Sequence, residues 1–222
     1  MKRLLKRLVL LGAALIIAAL AYGWTGFRDA RAAADTLAAR ADALIAEGRG
    51  GMALGQDRLD WLLAVEDPAF EVHAGFDLTT PGAGATTITQ SLAKREGFAD
   101  FTPGLKKLRQ TGYAIGLETR LSKPQILALF LDSVPMGTGP DGSWIDGFFS
   151  ASAAFYDAPP ASIAPDAFHR LLAVLIAPGT LSLADPDPAL DARAARIAAL
   201  LAGQCAPIGH DDVWLNGCAG GS

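Results

Sequence analysis

Residues 84–133 read GATTITQSLAKREGFADFTPGLKKLRQTGYAIGLETRLSKPQILALFLDS, and their punctuation decides the fold class. Thr87 followed by Gln90 forms a T-x-x-Q capping box, which satisfies the first free N–H groups of a helix; a helix is expected over 87–95. Phe101 to Gly104 interrupts the pattern, and a second helix is expected over 105–120. Ser122 then caps a third over 123–133, with Pro124 in its first turn and Ile126, Leu127, Phe130 and Leu131 as its apolar face. Outward from this core, helical spacing recurs over 57–65, 147–156, 165–177 and 188–202. Residues 78–85 and 135–147 read as Gly/Pro-rich loops. No stretch alternates convincingly as a strand does, and no repeat shows. The chain reads as all-α.

The N-terminus has a different character. Lys2, Arg3, Lys6 and Arg7 precede an almost unbroken apolar run from Leu8 to Trp24. At about 1.5 Å per residue that run is about 25 Å long, enough to cross a hydrocarbon core with snorkelling flanks. Tyr22 and Trp24 stand where an interfacial aromatic belt belongs. No clean small-x-small site follows Leu20, so we read an uncleaved anchor; a cleaved signal peptide is the alternative. The expected layout is a cytoplasmic basic cap and transmembrane anchor (1–24), an Ala-rich helical linker (25–50), one domain (51–203) and a tail (204–222). The domain is then exported, and an oxidising compartment allows Cys205 and Cys218 in the tail to pair or to stay as two thiols.

Composition narrows the function. Hydrophobic residues make up 51% of the 222 and charged residues 19%, which excludes a disordered chain. A net charge of −4 offers no general attraction to nucleic acid. Three His and two Cys are too few for a zinc module. The positive mean hydropathy, +0.28, agrees with a membrane segment.

Three short blocks carry chemistry. In EDPAFEVHAGFD (66–77), Glu66 ends an apolar helix beside an aromatic, where partial burial raises a carboxyl pKa and improves it as a general base; an ordinary capping cluster is the plainer reading. In GATTITQSLAK (84–94), small and hydroxyl residues open a helix with Lys94 two turns in, which suits an anionic ligand or simply a capped helix. In the third, Lys106, Arg109, Gln110 and Tyr113 fall at i, i+3, i+4 and i+7, so they share a helical face that with Lys94 makes a cationic wall or a solvated basic surface.

Taken together, the blocks resemble the glycosyltransferase family 51 peptidoglycan glycosyltransferases. EDPAFEVHAGFD is similar to that family's first motif, E-D-x-x-F-x-x-H-x-G-x-D, at every specified position. GATTITQSLAK is similar to the second, and KKLRQTGYAIGLETRLSKPQILALFLDSVPMG (106–137) to the third and fourth. GFFSASAAFY, LLAVLIAPGTLSLADP and the Arg193/Arg196 helix resemble the closing segments, so the likeness covers about residues 55–202. It implies a lysozyme-like helical fold and a monofunctional member that polymerises lipid II, releasing undecaprenyl pyrophosphate. It further implies that Glu66 is the base and that Lys94, Lys106 and Arg109 hold the pyrophosphate with Mg²⁺ or another divalent cation. Thr86 and Gln90 match donor-site positions, and Asp67 and His73, the first motif's other polar groups, are expected to bind substrate as well. The implied partners are lipid II, the growing glycan strand, the bacterial inner membrane and other cell-wall synthesis proteins. The implied location is single-pass, with the domain in the periplasm.

The sequence departs from the family at several points. The second catalytic Glu falls on Gln110. Restoring it by Gln110→Glu is expected to hold or raise activity. The segment between Asp77 and Gly84 is much shorter than usual, Thr102 stands where some members have arginine, and Ala128 and Asp132 replace a Glu and an Asn. Three functions compete on these residues: an active polymerase, a lipid-II-binding scaffold that keeps the fold, and a lytic glycosidase. The last usually needs two carboxylates.

Overall fold

A computed structural model describes residues 1–220. Among them the chain forms eight α-helices: α1 (Lys2–Ala46), α2 (Gln56–Glu66), α3 (Ile88–Glu96), α4 (Lys106–Glu118), α5 (Lys123–Ser133), α6 (Phe148–Tyr156), α7 (Pro165–Val174) and α8 (Pro188–Leu201). The all-α class holds, and the helices fall where spacing and capping put them. Ser122 caps α5 through a complete capping box with Gln125. At α3 only half of the expected box forms. The Thr87 side chain accepts from Gln90 N–H, but the Gln90 side chain turns away to Thr111.

One expected loop is a hairpin. Pro135–Thr138 (β1) pairs antiparallel with Trp144–Asp146 (β2), with a register irregularity between Pro135 and Gly137. The turn is closed by Gly139 N–H donating to the Ser143 carbonyl, and by Asp141 accepting from the backbone and hydroxyl of Ser143. Strands of four and three residues, one containing Pro and Gly, carry too little alternation to be read from sequence.

The core is built around α5, where every residue from Ile126 to Leu131 is buried. Such a helix is apolar on all sides because its neighbours surround it. Phe148 and Phe168 meet edge to face at 5.4 Å, and Trp61 packs on Phe168 at 6.0 Å. These contacts join α2, α6 and α7.

The second correction concerns the expected linker. α1 runs unbroken from Lys2 to Ala46, about 68 Å at 1.5 Å per residue, and an 18-residue window near its start reaches mean hydropathy 2.2. Its first half is exposed, as a membrane span would be, but Gly26, Ala30, Ala34, Leu37, Ala41 and Leu44 are buried against the domain. The backbones of α1 and α4 touch. A Cβ on Gly112 would lie 1.9 Å from the Gly23 carbonyl oxygen, and one on Gly26 would lie 2.1 Å from that of Arg109. Ion pairs extend the contact: Arg109–Asp29 at 2.7 Å, Arg120–Asp35 at 2.8 Å and Arg40–Glu96 at 3.0 Å. Asp132 accepts from both Arg40 and Arg49. Residues 25–46 are therefore a wall of the domain rather than a tether. Gly112→Ala is expected to lower the unfolding free energy of the detergent-solubilised protein by about 1–3 kcal/mol through overpacking. Denaturant titration checks this, and an unchanged midpoint would contradict the contact.

Candidate active site

The site begins where α2 ends. Glu66 is the last residue of that helix, and Asp67 leaves it in extended geometry (φ −161°). The buried Asp67 carboxylate turns back into the protein. Its Oδ2 accepts from Ile88 N–H at 2.9 Å and from His73 Nε2 at 2.9 Å. Gly75 N–H donates to His73 Nδ1 at 3.0 Å, so Nε2 carries the ring proton. The Thr87 hydroxyl donates to the Gly75 carbonyl. Below this lies a second knot, in which Glu118 Oε1 accepts from Thr89 (2.6 Å) and Lys123 (2.8 Å), and Lys123 also donates to the His73 carbonyl. The first motif is thereby tied to the start of α3, and Glu66 is left facing a cleft.

That cleft has a volume of about 570 Å³. Thr87, Ser91, Lys94 and Arg95 reach it from one face of α3, and Lys107 and Gln110 from α4; Arg193 reaches it from α8. Of the charged lining residues, one is acidic (Glu66) and four are cationic (Lys94, Arg95, Lys107, Arg193). Among the described residues none of these four is ion-paired. Arg95 donates to Ser91 and Ser133 and lies over the Phe130 ring. Its Nη2 has no partner, nor have Nε of Arg193 and Oε1 of Gln110. Burial lowers the pKa of Arg95 to about 10, so it stays charged at neutrality. Burial, then the neighbouring Lys94, lowers that of Lys107. Four cations without ion-pair partners, of which Arg95, Lys107 and Arg193 are partly or fully buried, describe a site for an anion.

Burial also raises the Glu66 pKa to about 7, opposed by the Arg193 charge and assisted by that of Asp67. A carboxyl poised there is half ionised near neutrality and suits a general base.

The structure brings together Glu66, Gln110, Thr86 and Lys94 of the expected set. The rest lie elsewhere. Asp67, His73 and Gln90 are packed behind the cleft as scaffold. Lys106 donates to the Asp100 carbonyl, and Arg109 turns to Asp29 and the Gly97 carbonyl, stacked on Phe98. The reason is the phase of α4. Gly112 and Gly116 must face α1, which rotates Arg109 to that side and Lys107 into the cleft. The expected anion site at the start of α3 is also revised, because Asp67 and Thr87 already occupy the Ile88 and Gln90 N–H groups. Sequence reasoning missed Lys107, three residues before Gln110, and Arg95, four after Ser91, and gave Arg193 no role in the site.

The donor set does not form a resident divalent-cation site. The described residues contain no cluster of three or more His, Cys, Asp or Glu placed to hold a metal, and the cleft offers one carboxylate among four cations.

Gln110 is fixed by its amide, whose Nε2 donates to the Gln90 carbonyl at 2.7 Å. A carboxylate at 110 would meet that carbonyl and need a proton to keep the bond, which argues against the expected benefit of Gln110→Glu.

Residues 53–202 match the Transglycosylase family, and the chain belongs to it. It is 28% identical over 130 residues to a biosynthetic peptidoglycan transglycosylase of Nitrosomonas eutropha, covering 53% of this chain and 51% of that protein. It is 29% identical over 127 residues to one of Citrobacter koseri (51% and 50%), and 28% over 149 residues to one of Escherichia coli O81 (61% and 60%). The chain thus spans about half to three fifths of the length of these relatives.

Two variants are expected to move in opposite directions with pH. A raised carboxyl pKa means that the folded state holds the proton longer than the unfolded state, so stability falls as pH rises from 4.5 to about 7. Glu66→Gln removes that loss and should gain on wild type, by at most about 3 kcal/mol, between pH 4 and 9. Gln110→Glu introduces such a loss and should fall behind over the same range. Parallel denaturation curves at several pH values check both, and a pH-independent difference would contradict the burial of these side chains.

Proposed function

We propose that the protein is a peptidoglycan glycosyltransferase that polymerises lipid II into glycan strands and releases undecaprenyl pyrophosphate. It is anchored in the bacterial inner membrane by the first half of α1, with the basic end in the cytoplasm. The domain then works in the periplasm on a lipid-borne donor and the growing strand. One observation carries the reading: a carboxyl with a pKa of about 7 faces a cleft whose other charged residues are all unpaired cations.

In this reading Glu66 takes the proton of the acceptor sugar hydroxyl. The freed oxygen attacks the donor's anomeric carbon with inversion. The bond from that carbon to the pyrophosphate oxygen breaks, and its electron pair leaves with the phosphate. Lys94, Arg95, Lys107 and Arg193 receive that charge. Their donors are fixed before the reaction, which is how such groups stabilise a charge that develops in the transition state. The lone carboxyl of the cleft does not fit the divalent ion that the family likeness implies, so the side chains are the groups that would carry the charge.

The test is purified protein with labelled lipid II in detergent. Glu66→Gln is expected to lower polymerisation by about 10²–10⁴-fold, because an amide cannot accept the proton. Lys107→Ala should lower it by about 10²–10³-fold, the scale of a lost charge-stabilising donor. EDTA should cost less than Lys107→Ala does where the side chains carry the pyrophosphate. Lipid II bound but never joined would favour the scaffold reading, and cleavage of finished strands the lytic one.

A further inference from the structure

The tail beyond α8 lies outside the family match and yet forms part of the cleft. A disulfide joins Cys205 to Cys218. Inside the loop it closes, the buried Asp212 side chain accepts from the N–H groups of Ile208, Asn216 and Gly217, so the loop is ordered by its own bonds. Two of its contacts face the site. On one side Gly82 N–H donates to the Gly209 carbonyl and Gly84 N–H to the His210 carbonyl, both at 2.9 Å, while His210 Nδ1 meets the Thr80 carbonyl. The fit is close: a Cβ on Gly84 would lie 2.3 Å from Val213 Cγ1 and one on Gly82 2.7 Å from Pro207 Cγ. On the other side Arg193 donates to the Val213 carbonyl and lies over the Trp214 ring, and Arg196 donates to the Trp214 carbonyl.

Gly82 to Ala85, Val213 and Arg193 all line the cleft. We propose that the disulfide-closed loop 205–218 is a positioning element of the active site, which holds residues 80–84 in place and orients Arg193 towards Glu66. Val213 and Trp214 act through Arg193 rather than on substrate. The alternative, a tail that merely staples α8, gives no reason for the bonds to Gly82 and Gly84.

Two readouts separate these roles. Glu66 is faced by Arg193 from α8, by its neighbour Asp67, and across the cleft by Lys94, Arg95 and Lys107. Of these, Arg193 is the cation that opposes the upward shift of its pKa. In the double variant Cys205→Ser/Cys218→Ser, amide exchange at Gly82 and Gly84 is expected to accelerate at least about tenfold, with the amides of 126–131 still protected. The Glu66 carboxyl, followed by carbon NMR in the full chain, should titrate at higher pH. Trp214→Ala keeps the disulfide and should raise the Glu66 titration while leaving Gly82 and Gly84 protected. Unchanged exchange at Gly82 and Gly84 in the double variant, or an unmoved Glu66 in both variants, would overturn the proposal. The catalytic meaning rests on the proposed glycosyl transfer, but neither readout needs turnover. An inert wild type would remove that function and leave this inference standing.

Discussion

The site depends on one buried carboxylate that does no chemistry. Asp67 Oδ2 accepts from the first N–H of α3 and from the protonated nitrogen of His73. This fixes the end of α2 against the start of α3, and so places Glu66 in the same cleft as Lys94 and Arg95. An ionised group taken out of water is stable only when its hydrogen bonds are supplied. The helix N-terminus supplies one and favours the negative charge. Only Oδ2 is bonded, while the buried Oδ1 has no partner, so losing either Ile88 N–H or His73 would weaken the one set of bonds that holds this side chain.

On this frame the cleft sets charge against burial. Four cations converge on one space and repel each other, and desolvation lowers the pKa of Arg95, Lys107 and Arg193. Such an arrangement is costly while empty and is relieved by an anion with several oxygens. The same desolvation raises the pKa of Glu66 to about 7. The two effects share one cause, the exclusion of water by α3, α4, α8 and the disulfide-closed loop.

Much of this was legible in the sequence. Capping residues placed α3 and α5, and the first motif marked Glu66, the one acid that lines the cleft. What escaped was whatever tertiary contact decides. Lys106 and Arg109 share a sound helical face with Gln110, but Gly112 and Gly116 give that side of α4 to α1, and Lys107 enters the cleft instead. The linker reading of 25–50 failed for the same reason: an Ala-rich stripe looks like a spacer until the glycines that receive it are known. Asp67 and His73 were expected to bind substrate, but whether a polar group meets substrate or scaffold depends on which way the chain turns after α2. The tail has no periodic pattern, so its contact with Gly82 and Gly84 had no local signal.

The most direct measurement is the pH dependence of kcat/KM for lipid II polymerisation, which reports the essential base of the free enzyme. A carboxylate base with a pKa of about 7 predicts a rate that rises tenfold per pH unit below neutrality and levels above it. A rate already flat from pH 5 upward would mean that Glu66 titrates as an ordinary exposed carboxyl, and would contradict a buried base facing a cationic cleft.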